Sequence, residues 1–249
     1  MPYTLAHPAA VIPFCQGRLM PSALVVGAMA PDWAGLLPLP GASLASHEWR
    51  GIVTVDLTLG MLLLVLFHGL LKQPLLDLAP ERLRARLAAP AAGFRWRSWS
   101  DVGYALLAVA LGAATHVLWD DLTHGQIVDL GGYEQLVQDG STILGLLWIG
   151  WFLVSWCRRA PETVAPVGLA VRARIAAQVI LAGAVVVPAI MTLLSPPRPL
   201  NGEFPTGAAL LWWYTAEMAL AGINTGIPLV MAYAVLWQLR RAVLLARGV

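Results

Sequence analysis

The sequence predicts an all-α, polytopic membrane protein: a bundle of about five transmembrane helices, preceded by short N-terminal interfacial helices. Three observations predict it. Of the 249 residues 58% are hydrophobic and only 12% charged, whereas soluble domains carry about 25% charged residues, so too few polar groups remain to coat a water-facing surface. Five apolar runs approach the roughly 20 residues that a helix needs to cross a bilayer core. Thirteen of the sixteen Lys and Arg fall on alternate connections between those runs.

The elements follow in order. The N-terminus has no basic region, and Pro2, Pro8 and Pro13 interrupt its apolar residues, so no signal peptide is expected and residues 1–50 belong to the mature chain. The stretch 22–37 is apolar but contains Pro31-Asp32. It reads as a short helix at the interface, ended by the proline, with Asp32 held at the turn. Residues 52–71 form the cleanest span, with only Asp56 and His68 ionisable, and Ser46 is a candidate N-cap ahead of it. Residues 104–118 form a short span that can extend at either end, and 141–157 is rich in Leu, Ile and Trp. Pro188 is expected to kink the span 175–194, and Pro228 with Glu217 to tilt or break the span 210–239. Tryptophans such as Trp33, Trp49, Trp119, Trp212 and Trp213 fall near span ends, as an aromatic belt would.

Connection 72–103 carries six basic residues, Arg95 and Arg97 among them, connection 158–174 carries four and the tail three. The positive-inside rule puts these in the cytoplasm and leaves 1–50, 119–140 and 195–209 outside. The N-terminus of this cell-membrane protein is then external and its C-terminus cytoplasmic. Cys15 and Cys157 fall on opposite sides, which excludes a disulfide and leaves apolar packing as their role. A net charge of +2 without a basic face argues against a nucleic-acid partner.

With that topology four of the five histidines, His7, His47, His116 and His124, collect on the outer side with Asp32, Asp120 and Asp121. Imidazole and charge close to lipid are costly and mark a functional site or a wet cavity. The sharpest motif is His116-x-x-x-Asp120-x-x-x-His124. Residues four apart lie one above the other on a helix, so His116 and Asp120 can grip one ion, and His124 extends the stripe if the helix persists to Gly125. Neutral imidazole with carboxylate suits zinc, and mixed N/O sets also suit manganese or iron. Taken singly, each of these residues is an ordinary interfacial side chain solvated by headgroups; taken together they point to metal. His68 reads as a snorkelling interface residue. Asp56 either orients a ligand histidine or caps a polar cavity, and Glu217, with Tyr214 nearby, lines a cavity floor or relays protons. The chain is read as a single membrane domain, 1–249, with an interfacial segment at 1–50, metal-site helices at 51–157 and C-terminal helices at 158–249.

Several stretches resemble a bacterial integral membrane family known only as a domain of unknown function. They are Met1-Pro-Tyr-Thr-Leu-Ala-His7-Pro-Ala-Ala, Pro21-Ser-Ala-Leu-Val-Val-Gly-Ala-Met-Ala-Pro-Asp32, Ser46-His47 with Gly51, Thr115-His116-Val-Leu-Trp-Asp120-Asp-Leu-Thr-His124, and Gly140-Ser141-Thr142-x-Leu144-Gly145. The resemblance runs from residue 1 to about 157 and more loosely to the end. That family is distantly similar to inner-membrane metal-dependent hydrolases and to zinc-dependent phospholipase C. The resemblance implies metal ligands at His7, Asp32, His47, His116 and Asp120, with His124 serving a second ion. The phospholipase's free N-terminal tryptophan and downstream His-x-x-x-Glu have no counterpart here, so a three-metal site is not implied.

The expected function is a membrane-embedded metal-dependent hydrolase holding one or two divalent ions, zinc before manganese or iron. Zinc lowers the pKa of bound water to about 7, which suits attack on a phosphoester or ester of a lipid or lipid-linked substrate. Asp120, Asp121 and His124 are the candidate catalytic residues, Asp120 as a bridge if two ions are held, with Asp121 or another outer carboxylate as general base. The alternatives are a scaffold or assembly protein with a structural metal, and a transporter using Asp56 and Glu217. Residues 195–209 are a candidate lid over the outer pocket.

Overall fold

The computed structural model describes residues 4–36, 41–93, 98–164, 168–199 and 204–247. Arg95, Arg97 and the centre of the candidate lid lie outside the described residues. Helix is the only regular secondary structure among the described residues. A 3₁₀ segment, Thr4–Gln16, leads to α1 (Pro21–Ala34), α2 (Ala42–Ser46) and α3 (Val55–Leu66). A π-helical turn, Phe67–Leu71, joins α3 to α4 (Lys72–Leu78), and α5 (Glu81–Gly93), α6 (Trp99–Thr123), α7 (Glu134–Arg159), α8 (Val171–Leu193) and α9 (Gly207–Ala246) follow.

Five helical stretches are long and apolar enough to cross a membrane: Gly51–Leu78, Trp99–Thr123, Glu134–Arg159, Val171–Leu193 and Ala209–Ala246. Four of them contain an expected run and extend it, Val171–Leu193 starts four residues before the expected 175–194 and stops one residue short of its end, and the chain is a membrane protein. The second span gains its first turn from a capping box, in which Asp101 N donates to Ser98 Oγ and Ser98 N donates to Asp101 Oδ2. Helix α8 has no buried residue, and α7 buries only Gln138 and Thr142. Their bare Leu, Ile, Val and Trp side chains are a surface that hydrocarbon, not water, would solvate.

The helices form two compact units, one of residues 1–69 and 92–162 and one of residues 70–91 and 163–249. In the first, α1 packs against α3 and α6 around Val11, Leu24, Ala28, Leu64, Ala105 and Val109. The contact between α1 and α6 is backbone-close. A Cβ on Gly27 would strike the Val109 backbone, and one on Gly112 would strike Leu24 O and Ala28 N. Small residues permit this approach in membrane helices, where dispersion and polar contacts replace the hydrophobic drive. Pro31 does not end α1, which runs on to Ala34 and carries Asp32 in its last turn. Ser46 is not an N-cap either: it closes α2, and its hydroxyl lies 3.0 Å from Pro31 O and 2.8 Å from Ser43 O.

In the second unit α8 and α9 pair along Val185 on one side and Gly222 and Gly226 on the other. Pro188 has no N–H to offer the carbonyl of Ala184, and Thr225 Oγ1 donates to that carbonyl instead. Buried Asp77 is the polar centre of this unit. It accepts from Leu169 N at 2.9 Å and Trp237 Nε1 at 2.7 Å, and it faces Arg84 at 3.4 Å.

Candidate metal centre

The α1–α6 contact aims the site. On α6 the residues Ala108, Gly112, His116 and Asp120 succeed one another every four positions, and on α1 the row is Leu24, Ala28 and Asp32. The small residues bring the two backbones together, and the polar residues at the end of each row face one another. His116 and Asp120 are therefore buried, at 0% and 6% exposure, by the same packing that closes the crossing. The 3₁₀ segment lies against α1, α6 and α7 and brings in His7, which is 4% exposed. The α2 turn brings in His47, partly buried, from beyond Ser46.

Four donor atoms close a ring. His47 Nε2 lies 3.4 Å from Asp32 Oδ1, and that oxygen 3.7 Å from His116 Nε2. His116 Nε2 is 3.4 Å from Asp120 Oδ2, which is 3.7 Å from His47 Nε2. These separations exceed the usual hydrogen-bond range of about 2.7–3.2 Å. They are close to the spacing of neighbouring donors around one ion, because bonds of about 2.0–2.2 Å put adjacent ligands roughly 3.3–3.6 Å apart. His7 adds a fifth donor: its Nε2 lies 3.6 Å from the other Asp120 oxygen, Oδ1, and its ring stacks on His116 at 3.7 Å.

Backbone carbonyls fix the imidazoles. His116 Nδ1 lies 2.8 Å from Ala28 O, and His47 Nδ1 lies 2.8 Å from Ser43 O. A carbonyl can only accept, so each Nδ1 carries a proton and each Nε2 is the ring atom turned into the site, the orientation typical of metal-bound histidine. Those Nε2 atoms have no hydrogen-bond partner. His116 Nε2, His47 Nε2, Asp120 Oδ1 and both nitrogens of His7 are buried without a hydrogen bond. A buried unsatisfied polar atom costs about 1–3 kcal/mol, so a cluster of them around a shared space fits a cation. Two triads among the described residues can hold one: His7, His116 and Asp120, and Asp32, His47 and His116. His116 has a single free nitrogen and serves one ion at a time.

The ionisable groups of the cluster also act on one another. Burial, followed by the neighbouring His116, lowers the His7 pKa to about 4. Burial alone would raise Asp32, but contact with His47 and the charge of His116 outweigh it and hold the carboxyl at about 2. The same Asp32 contact raises His47 above the usual histidine value.

The remaining expected residues lie around this core. Gly125 adopts φ +74° and terminates α6, so His124 is the cap rather than the next turn of the stripe. Its Nδ1 bonds Asp120 O at 2.7 Å, and it belongs to neither triad. Asp121 also stands outside both and accepts from Trp49 Nε1 at 3.0 Å. Asp56, in the first turn of α3, is 0% exposed with neither oxygen hydrogen-bonded, within electrostatic range of His116 and His47. His68 is bonded inside the unit to Ser22 Oγ at 2.9 Å. Glu217 lies on α9 in the second unit. Sequence reasoning passed over the carbonyls of Ala28 and Ser43, which no residue type announces, and Asp77, which a carboxylate at the end of an apolar run with Arg84 seven residues on could have flagged.

No curated protein and no solved structure matches the chain. A family model described as a domain of unknown function, DUF4184, matches residues 1–235 and so takes in every residue of the centre. The chain belongs to the DUF4184 family.

Proposed function

We propose that the protein is a membrane-embedded, metal-dependent hydrolase that cleaves a phosphoester or ester of a lipid or lipid-linked substrate at the outer membrane face. The observation that carries this reading is the fifth donor, the His7 imidazole. Four donors suffice for a structural ion, yet His7 stands beside them with both nitrogens unpartnered, against the free oxygen of Asp120. Zinc is the favoured ion, and manganese or iron suit the same donors. When bound, such an ion supplies Lewis acidity and a nucleophilic water at neutral pH.

The chain's own groups do the rest. Ala28 O and Ser43 O keep His116 and His47 in the ligating tautomer. Asp120 spans the ring and the His7 position, and its Oδ1 is the proposed proton acceptor. Hydrolysis joins the water oxygen to phosphorus or carbonyl carbon, breaks the ester bond and leaves the proton on the departing alkoxide. The order His7, Asp32, His47, His116, Asp120 parallels that of zinc-dependent phospholipase C and the inner-membrane hydrolases, and this likeness motivates the substrate class. The external placement rests on the distribution of Lys and Arg.

A second reading, a structural metal in a scaffold protein, is favoured by the four-donor ring itself, since closed tetrahedral sites are the structural kind. One experiment separates the two. Detergent-purified protein is assayed against bis-p-nitrophenyl phosphate and p-nitrophenyl esters, with EDTA and then with zinc restored, while circular dichroism follows the fold. The hydrolase reading expects turnover that EDTA abolishes and zinc restores at constant helicity. No turnover by metal-loaded protein, with EDTA melting the helices, would establish the scaffold reading instead.

A further inference from the structure

We propose that the cavity beside His7 seats one hydrocarbon chain of the substrate, an anionic glycerophospholipid, and so delivers its ester to the metal centre from within the bilayer. The inference rests on the hydrolase reading and adds the substrate's apolar half to it. The cavity measures about 560 Å³, inside the roughly 300–1,000 Å³ of small-molecule sites. The 3₁₀ segment contributes Ala6 and Ala10 to its wall, α6 contributes Trp119, and α7 contributes Leu144 and Trp148.

Three features identify the occupant. Among the described residues of the lining, His7 is the only ionisable group. It is 4% exposed and without a hydrogen bond, so one end of the cavity lies against a candidate ligand of the metal centre. The hydroxyl of Ser141 donates to Gln138 O at 2.9 Å and leaves the wall apolar. Leu144 and Trp148 are 69% and 45% exposed on a membrane-spanning helix, so the cavity opens where acyl chains lie. The wall is overwhelmingly apolar and offers a polar ligand few partners, whereas a hydrocarbon chain enters it without crossing water. A dication beside Asp32 and Asp120 then meets the phosphate of the lipid at the cavity's inner end.

The test is photolabelling in phosphatidylcholine vesicles doped with phosphatidylglycerol that carries a diazirine midway along one acyl chain, with metal content measured on the same samples. Label is expected to concentrate on residues 6–10 and 137–148 above the level on the lipid-facing helix Val171–Leu193. It should be competed away by excess unlabelled phosphatidylglycerol. Gly140→Phe should bring it down to that background with metal retained, because a side chain there enters open space, nothing lying within 4 Å of the added Cβ. Gly140→Ala should leave it unchanged, and Leu144→Trp replaces the phenylalanine variant if that one loses its metal. Uniform labelling, or labelling indifferent to both blocking variants, overturns the chain seat even if metal and turnover persist. Concentrated, competed labelling in a protein that hydrolyses nothing keeps the seat and removes only the hydrolase.

Discussion

His116 shows how one side chain is committed from both ends. Nδ1 is spent on the Ala28 carbonyl, the ring face is spent on His7, and Nε2 is left facing two carboxylates. His124, two turns along the motif from His116, is spent instead on the carbonyl of Asp120. His124→Ala is therefore expected to keep full metal content on equilibrium dialysis, although a ligand at that position would make the variant lose ion. Asp56 tests the surroundings. A buried carboxylate without a donor is tolerable next to a bound dication and costly without one. Asp56→Asn should weaken metal binding by about 10-fold, the scale of an outer-sphere group, with the fold retained; unchanged affinity would separate Asp56 from the centre. The histidines and aspartates themselves were legible, because an apolar chain has little other reason to gather them on one side of its spans. Which imidazole would turn inward was not legible. That depends on carbonyl positions and on the left-handed turn at Gly125, which cuts the stripe one residue early.

At the scale of elements, the site depends on the closeness of α1 and α6. Gly112→Ala places a methyl against Leu24 O and against the N of Ala28, the residue whose carbonyl holds His116. Overpacking of this kind costs about 1–3 kcal/mol. Thermal unfolding should show the loss, and metal content should fall with it, since α1 carries Asp32 as well. Gly103→Ala on the same helix, where the new methyl meets nothing within 4 Å, is the control and should change neither. All five spans could be read from hydropathy, because length and composition alone decide whether a helix crosses. Helix α1 was readable only in part. A proline inside a short apolar run looks like a stop, yet here the helix continues through it while Ser46 bonds the Pro31 carbonyl from outside.

At the scale of the whole molecule, the metal centre and the polar centre at Asp77 belong to different units. Asp77→Ala leaves Arg84 buried without its carboxylate and deprives Trp237 and Leu169 of their acceptor. Breaking a buried pair in this way costs about 3–5 kcal/mol. Unfolding in detergent should move to lower temperature, with metal stoichiometry unchanged until the transition; early loss of metal would mean that the units do not hold their sites independently. The alternation of basic connections predicts five spans and their sidedness, but it carries no information on how helices divide between units. That division follows from small-residue contacts such as Val185 with Gly222 and Gly226, which hydropathy does not register.

Elemental analysis of the purified protein is the most direct test of the centre. Wild-type protein prepared in zinc-sufficient medium should carry one or two divalent ions per chain, and His116→Ala combined with Asp120→Ala should carry none while keeping its helical circular dichroism. Metal-free wild type, or a double variant that retains its full complement, would contradict it.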